Sequence, residues 1–285
     1  MEVNKKSIHF ILPGGGVRGS FQAGFIYHLK KNYSHLFEIY KIDGTSVGAL
    51  NGLSLIIDDA EEIKKIWFSI ENIENIFNPW TMKPIWNKVK TIYQGFFQKS
   101  VYQNDGLKRI IYNNMNNINN TLLEKYNCVV TNLYTGNYEY INGSNENIKD
   151  FVLASASPWI ISPIVSINNY IYIDGGLLQT YPVENIKNSK ADIKLLLGYD
   201  STHTNKIGMI GENIITYLTR LIDISRLNQS NICKLSKYIN KYNMIAVENP
   251  LQYPFLDFSI ENITNGFEKG IEAADIFAKN HLLNI

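Results

Sequence analysis

Three short stretches hold residues whose types and spacing could do chemistry. The first is "LPGGGVRGSFQAG", Leu12 to Gly24, which contains Gly14, Gly15, Gly16, Val17, Arg18 and Gly19. Gly14, Gly16 and Gly19 satisfy the G-x-G-x-x-G spacing that cradles a dinucleotide pyrophosphate. The same glycines would equally present bare backbone N–H groups to a transient oxyanion. The loop alone is compatible with both.

The second stretch is "KIDGTSVGALNG", in which Gly44-Thr45-Ser46-Val47-Gly48 reads G-x-S-x-G. It lies between a strand pattern and a helix pattern, the context a nucleophile elbow needs. A tight turn there would project the Ser46 hydroxyl, while Gly44 and Gly48 remove side chains where strand and helix crowd. The following helix would also point its positive end at the serine.

A serine needs a base to take its proton. The five histidines, His9, His28, His35, His203 and His281, carry no recognisable local signature. The third stretch, "NNYIYIDGGLLQTYPV", offers Asp174 at the end of an alternating strand, followed by Gly175-Gly176. Strand carboxyl ends form the ligand edge of an open α/β sheet. Asp174 could accept the Ser46 proton directly if burial raised its basicity. It could instead serve a Ser…Asp…His triad completed by His203 or His281. A plain Asp-Gly turn is the uncatalytic reading.

The elements that must position these residues follow from periodicity. Strands are predicted at Ile8–Leu12, Phe37–Asp43, Tyr170–Ile173, Ile193–Gly198 and Tyr242–Val247, with a hairpin over Asn127–Leu133 and Asn137–Ile141 around "YTGN". Helices are predicted at Gly19–Lys31, Val47–Ile57, Ala60–Ile70, Asp105–Asn114, Ile148–Ser155, Gly211–Ser230 and Ser259–Leu283. This alternation indicates an α/β fold with a mainly parallel sheet. No internal repeat or linker breaks the chain, so one domain over 1–285 is expected. The aromatic-rich stretch 72–102 has no clean period. It reads either as a lid or cap or as core packing, and its lysines suit transient contact with an anionic membrane surface.

Bulk composition excludes several classes. The chain has 285 residues, 45% hydrophobic and 19% charged, with a net charge of +1. That balance gives no electrostatic pull toward nucleic acid. Two distant cysteines, Cys128 and Cys233, make no disulfide framework. The apolar run before Pro13 is too short for a signal peptide, and no window reaches the length of a membrane span. A cytoplasmic protein is expected.

Read together, the three stretches resemble the patatin-like phospholipase family. "GGGVRG" is similar to that family's oxyanion loop, "GTSVG" to its nucleophile elbow and "DGG" to its aspartate motif. "SASPWIISP" resembles its S-A-x-P-x-x-F-x-P segment, with Ile161 in place of Phe. "TYPV" resembles its N-x-P-V, with Thr180 in place of Asn, and "GFEKGIEAAD" its closing helix. The resemblance implies a three-layer α/β/α fold and a lipid acyl hydrolase with Ser46 as nucleophile and Asp174 as base. It implies an oxyanion hole in Gly14–Gly19, with the N–H groups around Gly15, Gly16 and Val17 as donors. Gly44, Gly48, Gly175 and Gly176 would be supports, a lipid ester the substrate, and no metal or organic cofactor is implied. A non-catalytic nucleotide-binding protein using the glycine loop is the remaining alternative.

Overall fold

The computed structural model describes residues 5–70, 75–79, 102–115, 118–159, 161–199 and 232–283. The expected helix 211–230, His203 and most of the aromatic stretch 72–102 lie outside the described residues.

An eight-stranded sheet organises the chain. Its strands are β1 (Lys6–Leu12), β2 (Phe37–Thr45), β3 (Tyr126–Asn132), β4 (Asn137–Asn142), β5 (Val165–Ile167), β6 (Tyr170–Asp174), β7 (Ile193–Tyr199) and β8 (Ile245–Glu248). Their order is β8-β7-β1-β2-β3-β6-β5, with β4 also paired to β3. The run from β8 to β3 is parallel, whereas β4, β5 and β6 join by antiparallel pairing. The sheet is therefore mostly parallel and flanked by helices, as the strand–helix alternation predicts.

The longer described helices are α1 (Gly19–Tyr33), α2 (Val47–Ile56), α3 (Ala60–Phe68), α4 (Asp105–Asn114), α5 (Ile148–Ser155), α6 (Ile232–Lys241) and α7 (Ile260–His281). Alternation along β1 divides the core. Phe10 and Leu12 enter a large cluster with Phe21 and Phe25 of α1 and Phe267 and Phe277 of α7. Ile11 faces the other way, into a smaller cluster with Leu196, Ile186 and Leu235 of α6. Two apolar faces on one sheet require cover on both, which gives the three layers. Helices α1 and α7 cross closely at Gly24, where a side chain would run into the Phe267 backbone.

Two details depart from the sequence reading. The strand expected at Tyr242–Val247 begins at Ile245, and the preceding residues close α6, which periodicity did not predict. Asn243 takes a left-handed backbone (φ 49) and the Met244 N–H donates to the Ile239 carbonyl at 2.9 Å, which stops the helix. The strand before Asp174 also gains a hairpin partner, β5, through Asn168 and Asn169 at φ 49 and 66. Asparagine tolerates that conformation well enough to form such a turn.

Candidate active site

The site forms where β2 hands over to α2. Ser46 sits between them with φ 56 and ψ −127, a backbone strain that only a well-braced turn sustains. The bracing is steric and polar. A side chain at Gly48 would fall 2.0 Å from the Leu12 carbonyl, and one at Gly44 would fall 2.5 Å from the Gly48 carbonyl. Only glycine lets strand and helix meet this closely. The Ser46 N–H donates to Ser155 Oγ at 3.0 Å, and Ser155 Oγ donates to the Val129 carbonyl at 2.7 Å.

Asp174 ends β6 and meets Ser46 directly. Ser46 Oγ donates to Asp174 Oδ2 at 2.7 Å, and the Gly176 N–H donates to Oδ1 at 2.6 Å. Burial pushes the Asp174 carboxyl up to about 7, against the opposing pull of those two hydrogen bonds. β6 runs antiparallel to β3, and register brings the pair together. Asp174 lies opposite Val130, while the neighbouring Val129 lies opposite Thr45.

The glycine loop passes over the serine. A side chain at Gly14 would lie 3.1 Å from Ser46 Cβ. Most of the loop's N–H groups have internal partners. Gly14 donates to the Thr180 carbonyl, Val17 to that of Phe255 and Arg18 to that of Gly15, while Gly19 donates to Gly16 and Val17. Among the described residues, the N–H groups of Gly15 and Gly16 make no hydrogen bond. This narrows the expected donor set, because the Val17 N–H is occupied. Arg18 is buried and acts as a brace, its Nε donating to the Tyr253 carbonyl at 2.9 Å.

The described histidines stand elsewhere. His9 is fully buried and paired with Asp43 at 2.8 Å, and His28 approaches Asp275. His281 packs its ring 5.2 Å from that of Phe277. None of them hydrogen-bonds to Ser46 or Asp174. Among the described residues, no group of three His, Cys, Asp or Glu side chains could hold a metal ion. No described helix is long and apolar enough to cross a membrane.

Ser46 and Gly16 open onto an apolar cavity with walls that include Leu53, Trp67, Ile111 and Phe258. Its lining is overwhelmingly aliphatic and aromatic, with polar side chains at Ser46, Asn51, Ser54 and Asn114. An apolar lining of this kind suits an apolar ligand.

A sequence model described as patatin-like phospholipase matches residues 10–186, which include the glycine loop, the elbow and Asp174. The chain belongs to that family. Membership in the patatin-like phospholipases supports lipid acyl hydrolase activity. No curated protein matches the chain. Among solved structures, the crystal structure of VipD from Legionella pneumophila is similar at 14% identity and a TM-score of 0.42, covering 95% of this chain and 67% of that one.

Several residues of the patatin-like site went unread in the sequence. Ser155 opens the "SASP" segment, but nothing local said that it would hold the Ser46 N–H. Phe255 contacts the glycine loop from far along the chain, with no motif around it. Asn51 and Gln22 are also buried polar supports. Trp67 Nε1 donates to Asn51 Oδ1 at 3.1 Å, Asn51 Nδ2 donates to Gln22 Oε1 at 3.0 Å, and Gln22 Nε2 donates to the Pro13 carbonyl at 2.9 Å. Polar residues inside predicted helices were the available signal.

Proposed function

We propose that this patatin-like protein cleaves fatty-acyl esters, as a phospholipase A or lysophospholipase, through a Ser46–Asp174 dyad. The observation that carries the reading is the 2.7 Å bond from Ser46 Oγ to Asp174 Oδ2 at the mouth of an apolar cavity. Asp174 Oδ2 takes the hydroxyl proton as Ser46 Oγ attacks the ester carbonyl carbon. The Gly15 and Gly16 N–H groups receive the negative oxygen of the tetrahedral intermediate. Asp174 then returns its proton to the departing alcohol oxygen, leaving the acyl group on Ser46. In the second half, Asp174 deprotonates water as it attacks the acyl-enzyme, then returns that proton to the departing Ser46 Oγ, which releases the fatty acid and restores the free enzyme. A carboxyl near 7 is suited to both directions of transfer at neutral pH. The acyl chain occupies the cavity beside Leu53 and Ile111, and the head group stays in solvent.

The test is fatty-acid release from phospholipid, lysophospholipid, galactolipid and p-nitrophenyl ester substrates. Wild type should release fatty acid from at least one lipid. Ser46→Ala and Asp174→Asn should each lose at least ~10³-fold in kcat while remaining folded. Undiminished turnover in either variant would remove that residue from the mechanism.

A further inference from the structure

Phe255 touches both the apolar cavity and the glycine loop. Phe255 is buried and lines the cavity that Ser46 and Gly16 share. Its carbonyl accepts the Val17 N–H at 2.8 Å. Gly16, at φ +58, lies against the same residue: a side chain there would fall 2.1 Å from the Phe255 carbonyl oxygen and 2.6 Å from ring atom Cδ2. The ring and the carbonyl of Phe255 therefore bear on one peptide of the loop.

The segment around Phe255 is fastened to that loop at further points. Asn249 Nδ2 donates to the Arg18 carbonyl at 3.1 Å, and Arg18 Nε donates to the Tyr253 carbonyl. Tyr253 is in turn anchored to α7, its hydroxyl donating to the Asn262 carbonyl at 2.7 Å. Leu256 and Phe258 continue the cavity wall. Loop and wall are thus one braced unit, and close-packed interiors transmit displacement.

We propose that Phe255 is a specificity-determining positioning residue through which an acyl chain in the cavity sets the oxyanion loop. This rests on the hydrolase reading above. A chain long enough to pack against Phe255 presses the ring toward Gly16 and holds the Val17 N–H on its carbonyl. The Gly15 and Gly16 N–H groups are then fixed where the oxyanion forms. A short acyl group leaves the ring unsupported and the donors less well aimed. Binding energy from a remote part of the substrate is thereby used at the reacting centre, so chain length raises kcat as well as lowering KM.

The test is kcat and KM, measured separately, on p-nitrophenyl esters from acetate to palmitate. Wild type, Phe255→Leu and Phe255→Ala are compared, with thermal melts and fluorophosphonate labelling as controls for folding and for Ser46 reactivity. Wild-type kcat should rise with acyl length. In Phe255→Ala the long-to-short kcat ratio should fall by about tenfold, below the ~10²-fold of a lost oxyanion donor. Phe255→Leu should recover part of that ratio. A merely structural role would lower kcat by the same factor for every ester, or raise KM for long esters alone; either result overturns the proposal. A wild-type kcat independent of chain length overturns it too, while leaving the hydrolase reading intact. A wild type that neither turns over esters nor takes the label overturns the hydrolase reading, and this proposal with it.

Discussion

Ser46 and Asp174 are 128 residues apart in the chain, and their side-chain oxygens meet at 2.7 Å. Strands β2, β3 and β6 produce the meeting. β2 carries the serine to the sheet edge, and β3 lies parallel to it. β6 pairs antiparallel to β3 in the one register that puts Asp174 beside the elbow. Gly176 then fixes the carboxylate through Oδ1, so Oδ2 is left to face the hydroxyl.

The Asp174 carboxyl, pushed up to about 7 by burial, gives the pH dependence its sign. The base form is the ionised one. Activity on a neutral ester should therefore rise with pH and level off, with an apparent pKa near 7 in kcat/KM. A profile flat from pH 5 to about 8 would rule out Asp174 as the titrating base.

The same shift makes a stability prediction. A carboxyl with a raised folded-state pKa binds its proton more tightly in the native state than in the unfolded one. Stability is fully present at low pH and is lost as pH rises from the unfolded value of 3.8 to about 7. Asp174→Asn removes that loss. It should match wild type near pH 4 and exceed it by a few kcal/mol above pH 7, at most ~4. Urea unfolding of both proteins across that range measures the gap, and a gap that does not widen with pH contradicts the burial argument.

Ser155 holds the N–H of a strained residue, so its removal should disturb geometry more than binding. Ser155→Ala leaves the Ser46 N–H without a partner, at a cost of about 1–3 kcal/mol. The expected kinetic outcome is a fall of about tenfold in kcat with KM unchanged, as for a small displacement of a reacting atom. An equal change in KM would mean that Ser155 shapes the cavity instead of the elbow.

Much of this was legible in the sequence, and the reason is local chemistry. G-x-S-x-G is read locally because a strained turn between strand and helix admits few residue types. The strand before Asp174 is read from its alternation. What escaped is set by distance and by backbone. The Val17 N–H is claimed by Phe255, a contact that no local pattern encodes. The antiparallel course of β6 depends on a hairpin built on Asn168 and Asn169, and its register on pairing with β3. Helix α6 was missed because its stop signal is Asn243 in a left-handed conformation, where glycine is the commoner residue.

Close approach makes the elbow glycines intolerant. Gly48→Ala would place a methyl group 2.0 Å from the Leu12 carbonyl, inside any real contact distance. The helix must move off the strand, and stability should fall by about 3 kcal/mol. Urea denaturation reads this directly. Near-wild-type stability would mean that β1 and α2 meet less closely than the structure has them.

In the proposed mechanism, Ser46 is a nucleophile made reactive by Asp174. Covalent labelling with a fluorophosphonate probe, read by intact-protein mass, tests it most directly. Wild type and His281→Ala should each gain one adduct that maps to Ser46. Ser46→Ala should gain none, and Asp174→Asn should label far more slowly. A folded wild type that takes no label, or labels at another residue, would contradict the account.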